Sequence, residues 1–188
     1  MKSEFERINF EISECKLCQL SETRCNTVSG EGVFPADIML VGEAPGAEED
    51  KQGRPFVGRS GRLLTMLLSE VGISREENLF ITNTVKCRPP ENRNPSVNES
   101  RACKCYLERQ IKQCSPRVII TVGNCALKYF VEKNEGISKL HGTFLKNENY
   151  IIFPVYHPAA LLRNPALIEV TRADLLKLAF YLRNKNIL

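Results

Sequence analysis

The chain has no stretch approaching the roughly 18 consecutive apolar residues that a membrane span needs. Its opening run, MKSEFERINFEISEC, has no apolar core of the kind a secretory signal carries, so export is not expected. The phosphate-loop patterns GxxxxGK[ST] and GxGxxG are both missing, which removes the commonest nucleotide-binding explanations for a glycine-rich loop. No internal repeat or interdomain linker interrupts the sequence, so residues 1–188 are expected to form a single domain. Histidine is scarce, with only His141 and His157, and any imidazole chemistry must use one of them. Charge of one sign is scarce too. Lys plus Arg number 26 against 22 acidic residues, so the net charge of +4 permits nucleic-acid binding without announcing it.

What the chain does have is alternation of short apolar runs with helical patterns. Phe5, Ile8 and Ile12 recur at helical spacing and predict an amphipathic first helix ending near Cys15. ADIMLVG (36–42), NLFITN (78–83), RVIITVG (117–123) and NYIIFPVY (149–156) read as four strands, with Pro154 predicting an irregular end to the last. Between them, Ser60 to Val71 reads as a helix, Ser96 with Glu99 forms a capping box for a helix to about Cys114, and Asn124 is placed to cap CALKYFV. Asn164-Pro165 opens a last helix carrying Leu175, Leu178 and Leu182. This order predicts an α/β fold with a mostly parallel four-stranded sheet, whose ligands sit beyond the carboxyl ends of the strands. Gly42-Glu43, Asn83 and His157 all fall there. His141, in the turn LHGTF, reads as structural.

Eight cysteines in an apparently intracellular chain favour metal ligation or burial over disulfides. Cys15 and Cys18 form the single CxxC, and Cys87 and Cys103 lie far downstream. One CxxC with two distant cysteines suits either an iron–sulfur cluster or a structural zinc. Cys103 and Cys114 share one helical face but lie roughly 16 Å apart along the axis, too far for both to serve one site, and Cys105 points elsewhere. Cys103 is preferred. Cys25, Cys105 and Cys114 are left as ordinary cysteines, and Cys125 as core.

GEAPGAEEDKQGRPFVGRSG (42–61) is dense in glycine and charge, and its Phe56 needs something flat or apolar to cover it. Asn83 offers both a donor and an acceptor to a base or amide edge. Lys86, Arg88 and Arg93 surround Cys87 in a proline-stiffened loop, and Arg54, Arg59, Arg62 and Arg163 add positive charge that would suit a phosphate backbone.

Taken in order, GEAPGAEEDKQGRPFVGRSG, ITNTVKCRPPENRNP and YHPAALLRNP resemble the family 4 uracil-DNA glycosylases, the iron–sulfur-containing branch of that superfamily. The resemblance runs from about Cys15 to the last helix. It implies a three-layer α/β/α sandwich and a [4Fe–4S] cluster on Cys15, Cys18, Cys87 and Cys103. It also implies hydrolysis of the N-glycosidic bond of deoxyuridine in single- or double-stranded DNA, the start of base excision repair. In that reading Phe56 stacks on a flipped uracil and Asn83 reads its edge, while His157, neutral or cationic, stabilises the departing base. Glu43 is the first candidate, and Glu49 the second, for positioning water or supporting the sugar cation, with backbone around Ala44 and Pro45 lining the pocket. Leu161, Leu162 and Arg163 form the tip expected to enter DNA, the apolar wedge filling the gap left by the base, and Arg88 joins them as a DNA contact. A cytoplasmic, nucleoid-associated monomer follows from the same resemblance. The run LLKLAFYL near the C-terminus could dock a sliding clamp, but is read as core.

Overall fold

The structure, a computed structural model, describes residues 3–132 and 135–188. Helix α1 (Glu4–Ser13) leads through α2 (Leu20–Thr23) and a two-residue strand β1 (Glu31–Gly32) into β2 (Ile38–Gly42). Helices α3 (Ala47–Gln52) and α4 (Arg59–Ser69) follow, then β3 (Leu79–Asn83), a single 3-10 turn at Pro90–Asn92, and α5 (Val97–Cys114). The chain continues through β4 (Val118–Val122), α6 (Gly123–Phe130), α7 (Ile137–Leu140), β5 (Leu145–Lys146) and β6 (Ile151–Val155). It closes with α8 (Pro158–Arg163) and α9 (Ala166–Asn184).

The strands form one sheet in the order β1-β3-β2-β4-β6-β5. The four expected strands β3, β2, β4 and β6 are its parallel centre, and β1 and β5 are added as antiparallel edges. Two residues each is too short for a period-2 pattern, which is why six strands replace the expected four.

Every residue of β2, β3 and β4 is buried, the condition that produces near-continuous apolar runs in parallel sheets. Alternation then divides the side chains. Ile38 and Leu40 face a cluster completed by Leu64 and Leu68 of α4, Leu161 of α8, and Leu175 and Leu178 of α9. Met39 and Val41 face the opposite cluster, with Leu107 and Cys114 of α5. Helices on both faces of the sheet make the expected three layers. A third, smaller cluster joins Ile8 and Ile12 of α1 to Leu20, Val85, Cys87, Cys103 and Tyr106, and seats α1 on α5.

The Ser96–Glu99 capping box is present, with the Ser96 hydroxyl accepting from Glu99 N–H at 3.2 Å. Asn124, by contrast, does not cap α6. That helix starts at Gly123, two residues earlier than expected, and the Asn124 amide oxygen accepts from the Ile137 N–H at the start of α7. Pro154 does not end β6 either. Its carbonyl accepts from Gly142 N–H at 2.9 Å, on the side away from β4, so its missing amide hydrogen falls where β5 has already stopped. In the LLKLAFYL run, Leu175, Leu178 and Leu182 are core while Leu176 and Phe180 are exposed.

Candidate active site and cysteine cavity

A cleft of about 430 Å³ opens at the carboxyl ends of the parallel strands. Glu43, Ala44, Pro45, Phe56, Asn83 and His157 all line it, and Glu49 and Arg163 stand at its walls. Strand register brings the first pair together, since Gly42 and Asn83 sit opposite each other at the ends of β2 and β3. Gly42 is glycine for reasons of space. A Cβ there would stand 2.5 Å from Phe56 Cζ and closer still to Asn83 Oδ1.

Asn83 is nearly fully buried, and its side-chain oxygen has no hydrogen-bond partner among the described residues. A buried carboxamide oxygen left without a donor is costly, and the residue that carries it lines the cleft. The main chain of Asn83 is held from behind. Lys86, also buried, donates its three ammonium hydrogens to the Asn83 carbonyl, Thr82 Oγ1 and Gln110 Oε1, each at 2.7 Å. Lys86 is therefore no part of a basic DNA-facing loop, contrary to expectation. Its three donors are consumed inside the protein.

Phe56 lies in the left-handed region at φ 53°, a conformation that costs a bulky residue on the order of 1–2 kcal/mol. Gly61, in the first turn of α4, makes room for it, because a Cβ there would collide with the Phe56 backbone. Glu49 Oε1 accepts from the N–H groups of Val57 and Gly58 at 2.9 and 2.7 Å, fixing the loop just beyond Phe56 at the mouth of α4. That contact gives Glu49 a fixed task in the loop, whereas the Glu43 carboxylate has no hydrogen bond or ion pair among the described residues. Burial pushes the Glu43 carboxyl above its usual range.

His157 is the N-cap of α8, and its Nδ1 accepts from the Ala159 N–H at 3.2 Å, with Pro158 at the first helical position. An Nδ1 that accepts carries no proton, so the ring hydrogen sits on Nε2. Burial lowers the imidazole pKa, the Arg163 charge lowers it further, and Glu49 only partly offsets both. Both effects favour the neutral imidazole, and with Nδ1 accepting, Nε2 is the nitrogen that can donate. Gly123, at φ +83°, clears the space behind it, since a Cβ there would lie 2.9 Å from His157 Cβ.

The expected DNA-entering tip requires correction. Residues after His157 form α8 rather than an open loop, and the helical turn drives Leu161 into the main core, where it is fully buried. Leu162 stands exposed, and Arg163 lines the cleft. Arg88 binds Asn92 Oδ1 at 2.8 Å, and the arginine of that loop on the cleft wall is Arg93, paired with Glu99 at 2.7 Å. The Arg93 guanidinium and the helix-capping amide of Ser96 hold the Glu99 carboxyl down at about 2, against the opposing effect of burial. Arg54 is engaged by Glu31 at 2.6 Å, away from the cleft.

The four expected ligand cysteines do share one cavity. Cys15, Cys18, Cys87 and Cys103 line it together with Ile12, Leu20 and Tyr106. Arg24 reaches Cys87 Sγ at 3.2 Å and the Cys15 carbonyl at 2.8 Å. Among the described residues no three Cys, His, Asp or Glu donors converge as a single metal ion requires. Four soft sulfurs spread around one apolar cavity, with a guanidinium against one of them, fit a multi-iron cluster that takes one thiolate per corner. Cys114 is apart, bonded to the backbone of Ala36. Cys25 and Cys105 are exposed, and Cys125 is half-buried rather than core, close enough to Glu43 to feel its charge. His141 is tied to Asp174 at 2.7 Å, the structural role expected of it.

Residues 29–180 match the family model described as the uracil DNA glycosylase superfamily. A type-4 uracil-DNA glycosylase of Sulfurisphaera tokodaii is 46% identical over 182 residues, covering 92% of this chain and 82% of that protein. The type-4 uracil-DNA glycosylase of Thermotoga maritima is 47% identical over 163 residues, 85% of this chain and 83% of its own length. A more distant relative, a type-5 uracil-DNA glycosylase of Pyrobaculum aerophilum, is 27% identical over 165 residues, 79% of this chain and 73% of its own length.

Proposed function

The chain belongs to the uracil DNA glycosylase superfamily, and from that premise we propose how this cleft carries out uracil excision in DNA repair. The protein is a uracil-DNA glycosylase, a hydrolase of the bond between a base and its sugar. The observation that carries the site reading is the buried Asn83 oxygen, without a partner among the described residues, in the cleft that Phe56 and His157 also line.

A base inside a duplex is unreachable, so the deoxyuridine turns out of the stack into the cleft. Phe56 covers one face of the ring. Asn83 Oδ1 accepts the N3–H of uracil, and its amide donates to the neighbouring carbonyl. Cytosine presents the reverse pattern at both positions, so its entry would leave two buried polar groups unpaired. As the C1′–N1 bond breaks, its electron pair leaves with uracil, and the neutral His157 Nε2–H donates to the carbonyl on which that charge collects. Water oxygen bonds to C1′ and gives up one proton to solvent, and the uracil anion takes one proton from solvent to leave as neutral uracil. The Glu43 carboxylate, without a cation among the described residues to neutralise it, faces the sugar and its water. Glu49 supports this geometry through the Val57 and Gly58 amides.

Cys15, Cys18, Cys87 and Cys103 would hold a [4Fe–4S] cluster, whose contribution is structural, since it ties α1, the loop after β3 and the first turns of α5 to one another. Uracil-containing DNA is the substrate, with Leu162, Arg163 and Arg93 nearest the strand.

The test is release of free uracil from single-stranded and duplex oligonucleotides containing one deoxyuridine, alongside iron and sulfide content. Wild-type protein should release uracil and hold about four irons. Replacing His157 should slow release by about 10²–10³-fold while iron content stays. Release by the His157 variant at the wild-type rate would overturn the assignment.

A further inference from the structure

Arg75 is a charged side chain that is almost fully buried, and nothing in the chemistry above uses it. Its guanidinium donates to the Pro55 carbonyl at 3.0 Å and to the Phe56 carbonyl at 3.2 Å. It also reaches Thr65 Oγ1 of α4 at 3.4 Å and lies 3.4 Å from Glu31. Glu31 belongs to β1, which pairs with β3 two residues before Asn83. One side chain therefore links the loop that carries the stacking ring to the edge of the sheet that carries the uracil-reading amide.

The link answers a local need. Phe56 is a non-glycine residue in the left-handed region, and its carbonyl and that of Pro55 are turned inward, where an unpaired acceptor would be unfavourable. A forked, always-charged donor satisfies both carbonyls at once, which a lysine ammonium does less well. Without it, the loop can relax toward an ordinary backbone conformation, and the ring would swing away from its place beside Gly42 and Asn83.

We propose that Arg75 is a positioning residue for uracil recognition, holding the Phe56 ring at the face of the base by clamping the Pro55 and Phe56 carbonyls against β1. The proposal rests on the reading that Phe56 stacks on uracil. Arg75 touches no substrate, and its whole effect on uracil passes through the phenyl ring.

A double-mutant cycle tests this, with single-turnover release from a single-stranded uracil oligonucleotide measured across enzyme concentrations and free uracil as competitor. Wild type, F56A, R75Q and F56A/R75Q are compared, each checked for cooperative melting. R75Q should weaken half-saturation and free-uracil inhibition roughly tenfold when Phe56 is present, but by less than about twofold in the F56A background. R75K should recover part of the loss. If R75Q does not fold, the same cycle is run with R75K, which keeps the buried charge but loses the fork, and its loss should likewise vanish in F56A. An equal loss with and without the ring overturns the proposal and leaves stacking intact. F56A that binds and releases uracil as wild type does overturns the stacking reading itself, and the proposal with it.

Discussion

Replacing Asn83 with leucine should make the protein more stable and less active at once. Leucine keeps the branched shape and puts carbons where asparagine has oxygen and nitrogen. In the free protein the Asn83 oxygen is buried with no partner among the described residues, a condition that costs about 1–3 kcal/mol. Removing it should return at least ~1 kcal/mol of folding stability, or about 2–4 °C in melting temperature for a chain of this length. On the activity side the variant loses two hydrogen bonds to uracil at about 1 kcal/mol each. A total near 2 kcal/mol corresponds to a loss of roughly 30-fold or more in single-turnover release. Calorimetry and release kinetics on one preparation read both quantities. The opposite signs are the point, because an asparagine kept for structure would lose stability when replaced. A lower melting temperature in N83L, or release at the wild-type rate, refutes the reasoning.

H157Q should slow release by about 10²–10³-fold, the range for one oxyanion-type donor. The wild-type rate should be flat above neutrality and fall only on the acid side. Burial depresses the His157 pKa below 6.5, so protonation of the ring belongs to the acid limb, and the Glu43 carboxylate, its pKa raised by burial, is lost on the same limb. The sign for stability agrees: below pH 6.5 the unfolded chain takes up the His157 proton first, so chemical denaturation should show the fold weakening as pH falls. L161A should destabilise by about 2–5 kcal/mol as a core truncation, whereas L162A should change stability by less than ~0.5 kcal/mol and selectively slow release from duplex substrate. K86M should lower the urea midpoint, because it removes three hydrogen bonds, to the Asn83 carbonyl, Thr82 Oγ1 and Gln110 Oε1, at on the order of 3 kcal/mol in total before the relief of a buried charge is counted.

The parallel strands were legible because a strand buried on both faces must be apolar throughout, and their ends then located Glu43, Asn83 and His157 without any side-chain geometry. The four cysteines were legible only in part. Helical spacing separated Cys103 from Cys114, but that one cavity gathers Cys15 and Cys18 with Cys87 and Cys103 depends on α1 folding back onto α5. Two charged residues were misread or passed over for one reason. A lysine or arginine in a polar stretch is read as solvated, and only the surrounding acceptors reveal otherwise. Lys86 finds three uncharged acceptors in the interior, and Arg75 finds two carbonyls of a strained loop. Neither set of acceptors is adjacent in sequence.

The segment after His157 shows how far a short motif can mislead and still inform. Leu161, Leu162 and Arg163 read as one tip entering DNA, yet proline directly after histidine is a helix-start signal, with proline at the first helical position and the histidine as its cap. Once α8 forms, Leu161 turns into the core and only Leu162 and Arg163 remain at the surface. The same helix decides what the residues alone left open. Its Ala159 N–H occupies His157 Nδ1, so a proton there would break the cap as well as bring charge into a buried site. Burial, and after it the Arg163 charge, holds the His157 pKa down, and the helix that takes Leu161 into the core occupies Nδ1, so that Nε2 is the ring nitrogen left to donate.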